Sequence, residues 1–331
     1  MASNHQVRLA ARPQGLPKRT DFAFTESPVP EPKDGEVVVR VEYVSLDPAM
    51  RGWMNEGRSY IPPIELGAVF RSGGVGRVIA SKAPGFVEGD WVSGATGIQQ
   101  YAALKALPPM KIDVALAPPT TWLNALGMPG MTAYFGLFDV GAAKQGDTVV
   151  ISGAAGAVGA TAGQLAKQRG CRVIGIAGGA EKCAYLRELG FDAALDYKTG
   201  DLKAALKEAC GGGIDVFFDN VGGDVLDLAL GRLNRGARIA ICGAISQYNS
   251  AQPVGPKNYL QLLVCRARMQ GFVVFDYADR YGEAVAHIGA LITAGKLKYR
   301  EHVVKGIDTF PESLLMLFKG ENFGKLVLQL Q

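Results

Sequence analysis

Cysteine is absent before Cys171, and His5 is the only histidine before His287. Catalytic zinc needs Cys, His or carboxylate ligands brought together, and structural zinc usually takes four closely spaced cysteines. The first half of this chain offers no cysteine and a single histidine for either set, and His5, His287 and His302 read as solvated or packing residues. The five cysteines, Cys171, Cys183, Cys210, Cys242 and Cys265, form no C-x-x-C pair. Their odd number, with no secretory signal, argues for reduced thiols in a reducing compartment. No apolar run reaches the length of a membrane span. An excess of one charge is missing too: 35 Lys plus Arg against 31 acids leaves +4, with the basic residues scattered. That balance makes no case for nucleic acid. Repeats and low-complexity segments are also lacking. Residues 1–20 contain Arg8, Arg12, Lys18 and Arg19 and no acid, a composition compatible with an organelle transit peptide. The stretch LPKRTDFAFTESPVPEPKDGEVVVRVEYVSL instead reads as a strand, a turn and a strand, so cytoplasm is the expected location.

What is present describes a globular protein of two domains: 331 residues, 48% hydrophobic and 20% charged. Residues 1–125 are rich in Val, Gly and Pro, with short β-like runs such as GEVVVRVEYVSL, GRVIAS and GDWVSG. From Thr148 the pattern alternates. TVVISG, RVIGIAG, AALDY, IDVFFDNVG and ARIAICGAI read as strands; AVGATAGQLAKQRG, AEKCAYLRELG, DLKAALKEAC and VLDLALGRL read as helices. Short apolar strands between amphipathic helices predict a doubly wound parallel sheet over residues 126–298. The tail, 299–331, predicts a helix, a turn and a last strand.

The corner VISGAAGAVGATAGQ carries the first chemical signal. Gly153, Gly156 and Gly159 are spaced G-x-x-G-x-x-G, with Ala155, Ala157 and Val158 between them. The motif alone is weak. Placed directly after a strand and opening a helix of small residues, it predicts a pyrophosphate site at the helix N-terminus. A second signal lies at the end of the next strand, where an NAD-binding domain usually carries Asp or Glu for the ribose hydroxyl. Here the strand ends in Ala177, Gly178 and Gly179. Lys182 and Tyr197 offer a cation and a hydroxyl for a 2′-phosphate, which favours NADP(H). SGGVG, residues 72–76, resembles a phosphate loop but has no helix behind it and is expected to be a β-domain turn.

In combination, SLDPAMRGWM, SGAAGAVG, GCRVIGIAGGAEKCAYL, FDNVGG, ICGAISQYN, RMQGFVVFDY and ENFGK resemble the medium-chain dehydrogenase/reductase family. The resemblance is to its zinc-independent branch of leukotriene/prostaglandin, alkenal double-bond and curcumin reductases. It implies a GroES-like catalytic domain (1–125) completed by the tail (299–331), an NADP-binding Rossmann domain (126–298), and a homodimer. Where zinc-dependent relatives carry a ligating cysteine this chain reads VSLDPAM, and where they have Gly-His-Glu it reads Gly67, Ala68, Val69. The implied reaction is NADPH-dependent reduction of the C=C bond of an α,β-unsaturated ketone or aldehyde, a small-molecule substrate. An O–H donor is needed to stabilise the enolate. Tyr60, ahead of two prolines in GRSYIPPIEL, is the candidate and Tyr259 its rival. Relatives with a tyrosine shortly before QGF are matched here by Val264. The resemblance further places Asn220, the run Cys242, Gly243, Ala244, Ile245, Ser246 and Tyr248, and Phe272, Val273, Val274 and Asn322 along the cofactor. Cys242 reads as structural, not nucleophilic. Asp47 and Arg51 either face the substrate or hold a turn. A quinone reductase of the same superfamily and a non-catalytic NADPH sensor stay open as alternatives.

Overall fold

The structure, a computed structural model, describes residues 3–106 and 111–330. The chain divides into two compact units, Met1–Asn124 with Glu301–Gln331, and Ala125–Arg300. The first opens with β1 (Ser3–Leu9), β2 (Phe22–Pro28), β3 (Glu36–Ser45), β4 (Gly74–Ser81), β5 (Trp91–Gly94) and β6 (Tyr101–Lys105). The second carries β7 (Thr148–Ser152), β8 (Arg172–Ala177), β9 (Ala193–Asp196), β10 (Ile214–Asp219), β11 (Leu233–Ile241) and β12 (Arg268–Gly271). The first unit then regains β13 (Glu301–Lys305) and β14 (Lys325–Gln329). The α-helices longer than one turn are α1 (Met128–Phe135), α2 (Ala157–Gln168), α3 (Ala180–Glu188), α4 (Leu202–Cys210), α5 (Gly223–Leu230), α6 (Leu260–Cys265), α7 (Tyr281–Thr293) and α8 (Phe310–Lys319).

In the first, GroES-like unit, β1 and β2 pair antiparallel, and the larger sheet runs β13-β14-β3-β4-β5 with β6 also on β3. Val37, Val39 and Val41 of β3 are buried in a core closed by Phe22, Phe70 and Phe310. Those three rings stand pairwise 5.6, 5.1 and 5.0 Å apart, within the range where aromatic pairs attract. SGGVG is not the expected turn. Gly74 and Gly76 already belong to β4, and a Cβ on Gly76 would lie 2.1 Å from the Arg40 carbonyl oxygen. The missing side chain lets β4 approach β3 where their register slips, between Val41 and Tyr43.

The second unit is a Rossmann-type parallel sheet in the order β12-β11-β10-β7-β8-β9. Its middle strands are apolar at their centres because helices cover both faces: Val150, Ile174, Phe217 and Ile239 belong to one core cluster. The connectivity reverses between β7 and β10, and such a switch point, at the carboxyl ends of the strands, is where doubly wound sheets bind ligands. Strand β12 is not foreshadowed by the sequence pattern. It forms the sheet edge and all four of its residues are exposed.

Candidate functional site

The chain leaves β7 through Gly153, whose φ of +59° suits glycine, and enters α2 at Gly156. A Cβ on Gly159 would lie 2.5 Å from the Gly153 carbonyl oxygen, so this glycine draws the helix onto the turn. Gly156 differs. A Cβ there would meet only the Gly153 oxygen, at 3.3 Å, so the site is less crowded than at Gly159. No side chain caps α2 at Gly156, whereas α4 is capped by Asp201, whose carboxylate accepts from the Lys203 and Ala204 amides. An uncapped helix start beside small residues fits a bound pyrophosphate.

At the end of β8, the Tyr197 ring lies against Gly178: a Cβ on Gly178 would meet the phenol oxygen at 2.8 Å. Asp196 accepts from the amides of Gly179 (2.8 Å) and Lys198 (2.9 Å). These two donors hold its carboxyl below the usual range and its charge inside the turn. Lys182 has its ammonium pKa lowered, first by burial and then by the neighbouring Lys198, with Glu181 opposing. Two mutually repelling cations and a phenol hydroxyl at this strand end fit a 2′-phosphate. Lys198 escaped the sequence reading because it follows the strand-end tyrosine as an ordinary surface lysine would.

Asp219, at the foot of β10, is fully buried. It accepts from Ser152 Oγ at 2.7 Å and from the amides of Val221 and Gly222 at 3.0 Å. Its backbone carbonyl takes the amides of Cys242 and Gly243. Asn220 donates through Nδ2 to the Ser152 carbonyl at 2.7 Å. Asp219, through its carboxylate and its backbone carbonyl together, therefore ties the carboxyl ends of β7, β10 and β11, the end of the sheet at which the glycine turn lies. Burial raises its pKa, and the Gly222 amide, Ser152 hydroxyl and Val221 amide oppose the rise. Sequence reasoning passed over Asp219, although a charge ending the apolar run IDVFFD was a signal. Beyond it, Ile245 and Ser246 donate from their amides to Asn220 and Val221. The Tyr248 hydroxyl folds back to accept from the Ala244 amide at 3.2 Å. Burial, then Asp219, pushes the Cys242 thiol up to about 12, which leaves no thiolate at neutral pH.

Phe272 follows β12 and packs edge-on to Phe218, ring centroids 6.2 Å apart, with Val273 and Val274 next in line. Tyr259 begins α6 and is exposed. The other candidates belong to the first unit. Tyr60 is 54% exposed, and its oxygen accepts from Trp53 Nε1 at 3.2 Å. The Trp53 carbonyl accepts from the Ile64 amide at 2.8 Å, closing the base of the loop that carries Tyr60. The Asn322 amide donates to the Gly324 carbonyl at 3.0 Å and shapes the turn before β14. Arg51 is buried, donating to the carbonyls of Gly15 and Pro13 and to Asn55. Asp47 accepts from Lys325 Nζ at 2.7 Å, and that buried ammonium also reaches the Leu46 carbonyl at 2.8 Å. Both Asp47 and Arg51 hold turns. Among the described residues no three His, Cys, Asp or Glu side chains lie close enough to share a metal ion, and no helix is long and apolar enough to cross a membrane.

Sheet, reversal point and glycine turn define a two-unit α/β oxidoreductase of the dinucleotide-binding class. Residues 5–112 match the family model for the N-terminal domain of oxidoreductase, and residues 157–290 the model described as zinc-binding dehydrogenase. The chain is 43% identical to the NADPH-dependent curcumin reductase of Escherichia coli, over 98% of this chain and 96% of that one. It is 42% identical to a tobacco (Nicotiana tabacum) NADP-dependent 2-alkenal reductase, over 98% and 97%. The crystal structure of CurA from Vibrio vulnificus in complex with NADPH superposes with a TM-score of 0.94 at 45% identity, covering 99% of each chain. The chain belongs to the medium-chain dehydrogenase/reductase family, in the branch that holds the curcumin, 2-alkenal and prostaglandin reductases.

Proposed function

We propose that this protein reduces the C=C bond of α,β-unsaturated ketones and aldehydes with NADPH. The observation that carries the cofactor half is the β8 end, where Ala177, Gly178 and Gly179 replace the usual acid and Lys182, Lys198 and Tyr197 gather. Gly153, Ala155, Gly156, Ala157, Val158 and Gly159 cradle the pyrophosphate. Asn220, with Cys242 through Ser246 and Tyr248, lines the ribose path; Phe272, Val273, Val274 and Asn322 border the nicotinamide. Bound NADPH supplies the hydride, which goes to the substrate β-carbon. Negative charge then collects on the carbonyl oxygen, and the α-carbon takes a proton from water. Tyr60 donates its hydroxyl to that oxygen, and the Trp53 N–H on the phenol oxygen makes it a better donor.

The test follows NADPH absorbance with trans-2-alkenals, an aryl enone and a quinone, and repeats the best case with NADH. Enone turnover to the saturated carbonyl with an NADPH preference supports the reading; quinone turnover alone replaces it with quinone reduction. Lys182→Ala is expected to raise KM for NADPH about 10–100-fold, the worth of a charge-assisted phosphate contact, and to leave KM for NADH unchanged. Since the Lys182 pKa is lowered, the NADPH preference is present at neutral pH and is lost as alkaline pH deprotonates the ammonium below its ordinary range.

We also assign a homodimer formed through the β12 edge. Unpaired backbone groups of β12 lie on an exposed strand, and the adjoining α6 exposes Leu260, Leu263 and Val264 at 58%, 76% and 58%. A two-fold axis would pair two such edges and cover both apolar faces. Leu260→Glu with Leu263→Glu is expected to halve the mass by light scattering; an unchanged mass removes this interface.

A further inference from the structure

Between α1 and β7 the chain makes a single π turn, Gly136–Val140, closed by the Gly141 amide on the Gly136 carbonyl at 2.9 Å. Such turns are rare and cluster at functional sites. After this one, Ala142 is held at φ +45°, one of two non-glycine residues with positive φ among those described. Strain of this kind persists only where the surroundings over-determine it, and here they do. Arg268 donates to the Val140 carbonyl at 2.7 Å, and Arg238 to those of Gly141 and Ala142 at 3.0 and 3.2 Å.

The segment from Arg268 to Tyr281 straddles this turn. Arg268 grips its end, Tyr277 stacks on Phe135 with centroids 4.7 Å apart and planes 12° off parallel, and Arg280 pairs with Asp139. Tyr281 Oη donates to the Val274 carbonyl at 3.0 Å. In the middle, Phe272 fills the space a side chain on Gly136 would occupy: a Cβ there would lie 2.4 Å from Phe272 Cζ and 2.7 Å from Phe218 Cε2. Phe218 is fully buried and has nowhere to go. Phe272 is half-buried, so it is the ring that would yield.

The geometry points to Gly136 and its π turn as a positioning device for the Phe272–Val274 segment, and through it for the nicotinamide end of the cofactor. Gly136 touches neither substrate nor cofactor; it sets where Phe272 sits. The inference rests on the reading that Phe272 borders the nicotinamide. Its test compares two ligands by calorimetry on the full chain: NADPH, and 2′,5′-ADP, which carries the adenosine and 2′-phosphate but no nicotinamide.

Gly136→Ala is expected to weaken NADPH binding about tenfold, the effect of overpacking a well-filled site, while 2′,5′-ADP binding stays within about twofold. Adding Phe272→Leu, which removes the colliding Cζ, should recover part of the loss, giving non-additivity in the double-mutant cycle. Asp139→Asn, which loosens the Arg280 anchor without a steric clash, should shift the same ratio in the same direction and serves if Gly136→Ala does not fold. Equal weakening of both ligands would make the turn a general structural element and overturn the proposal. Gly136→Ala and Asp139→Asn both inert, with Phe272→Leu selectively weakening NADPH, would overturn the proposal and leave the nicotinamide reading standing. All three inert would remove that reading as well.

Discussion

Replacing Tyr60 by Phe is expected to lower kcat for enone reduction about 10²–10³-fold, the usual effect of deleting one donor to a developing oxyanion. KM for NADPH should not change, since the cofactor contacts proposed here do not include Tyr60. The substitution keeps the aromatic ring and removes only the oxygen that accepts from Trp53 Nε1. It therefore separates hydroxyl chemistry from packing. Steady-state kinetics on an alkenal and an aryl enone make the measurement, with Tyr259→Phe beside it. A large loss in Tyr259→Phe and none in Tyr60→Phe would transfer the donor role to the residue that opens α6. No loss in either would assign stabilisation of the enolate oxygen to the ribose hydroxyl or to water.

Asp219→Ala is expected to be strongly destabilising to the second unit. It strands the Ser152 hydroxyl and the amides of Val221 and Gly222 in a site that is 0% exposed. Unsatisfied buried donors cost about 1–3 kcal/mol each, so a loss of about 3 kcal/mol or more is expected. For a unit of this size that is a fall in Tm of roughly 6–12 °C, readable by calorimetry. Asp219→Asn keeps one acceptor oxygen and should fall between the two. Acidification does not mimic the loss. The folded pKa of Asp219 is raised, so its contribution to stability is greatest below the unfolded carboxylate pKa and declines as pH rises through the folded value. Asp196 has the opposite sign: its folded pKa is lowered, and its contribution is present above the unfolded pKa and lost as pH falls through the folded one. An acid-induced loosening of the proposed NADPH site would thus begin at the β8 end, not at Asp219.

The elements that frame the proposed cofactor site were legible because they are local. A buried strand, three spaced glycines and a helix of small residues lie consecutively from Val149 to Gln164, and the missing acid at Gly178 and Gly179 is a statement about adjacent residues. The π turn was not legible. GMTAYFGLFDVG has the spacing of an ordinary helix, and the extra residue is accommodated by rings and guanidinium groups from β10, β11 and the segment after α6. Strand β12 escaped because RMQG has neither alternation nor β-branched residues, and an edge strand needs neither. Lys325 would pass for a surface lysine in ENFGK. It is buried because the Leu46 carbonyl and Asp47 meet its ammonium from a segment far away in sequence. The SGGVG glycines read as a turn because composition does not distinguish flexibility from close strand approach.

The position of β14 has a consequence in time. Val327, Leu328 and Gln329 pair with Ser45, Val44 and Tyr43 of β3, and Leu326, Val327 and Leu328 are buried in the first unit. During synthesis β3 emerges early, but this part of its flank has no partner until the whole of the second unit has followed it out of the ribosome. The second unit, contiguous from Ala125 to Arg300, can close as soon as it emerges. The N-terminal unit thus matures last, with an open strand edge exposed in the interval, and that edge is where a nascent chain is most open to mispairing and to chaperone capture.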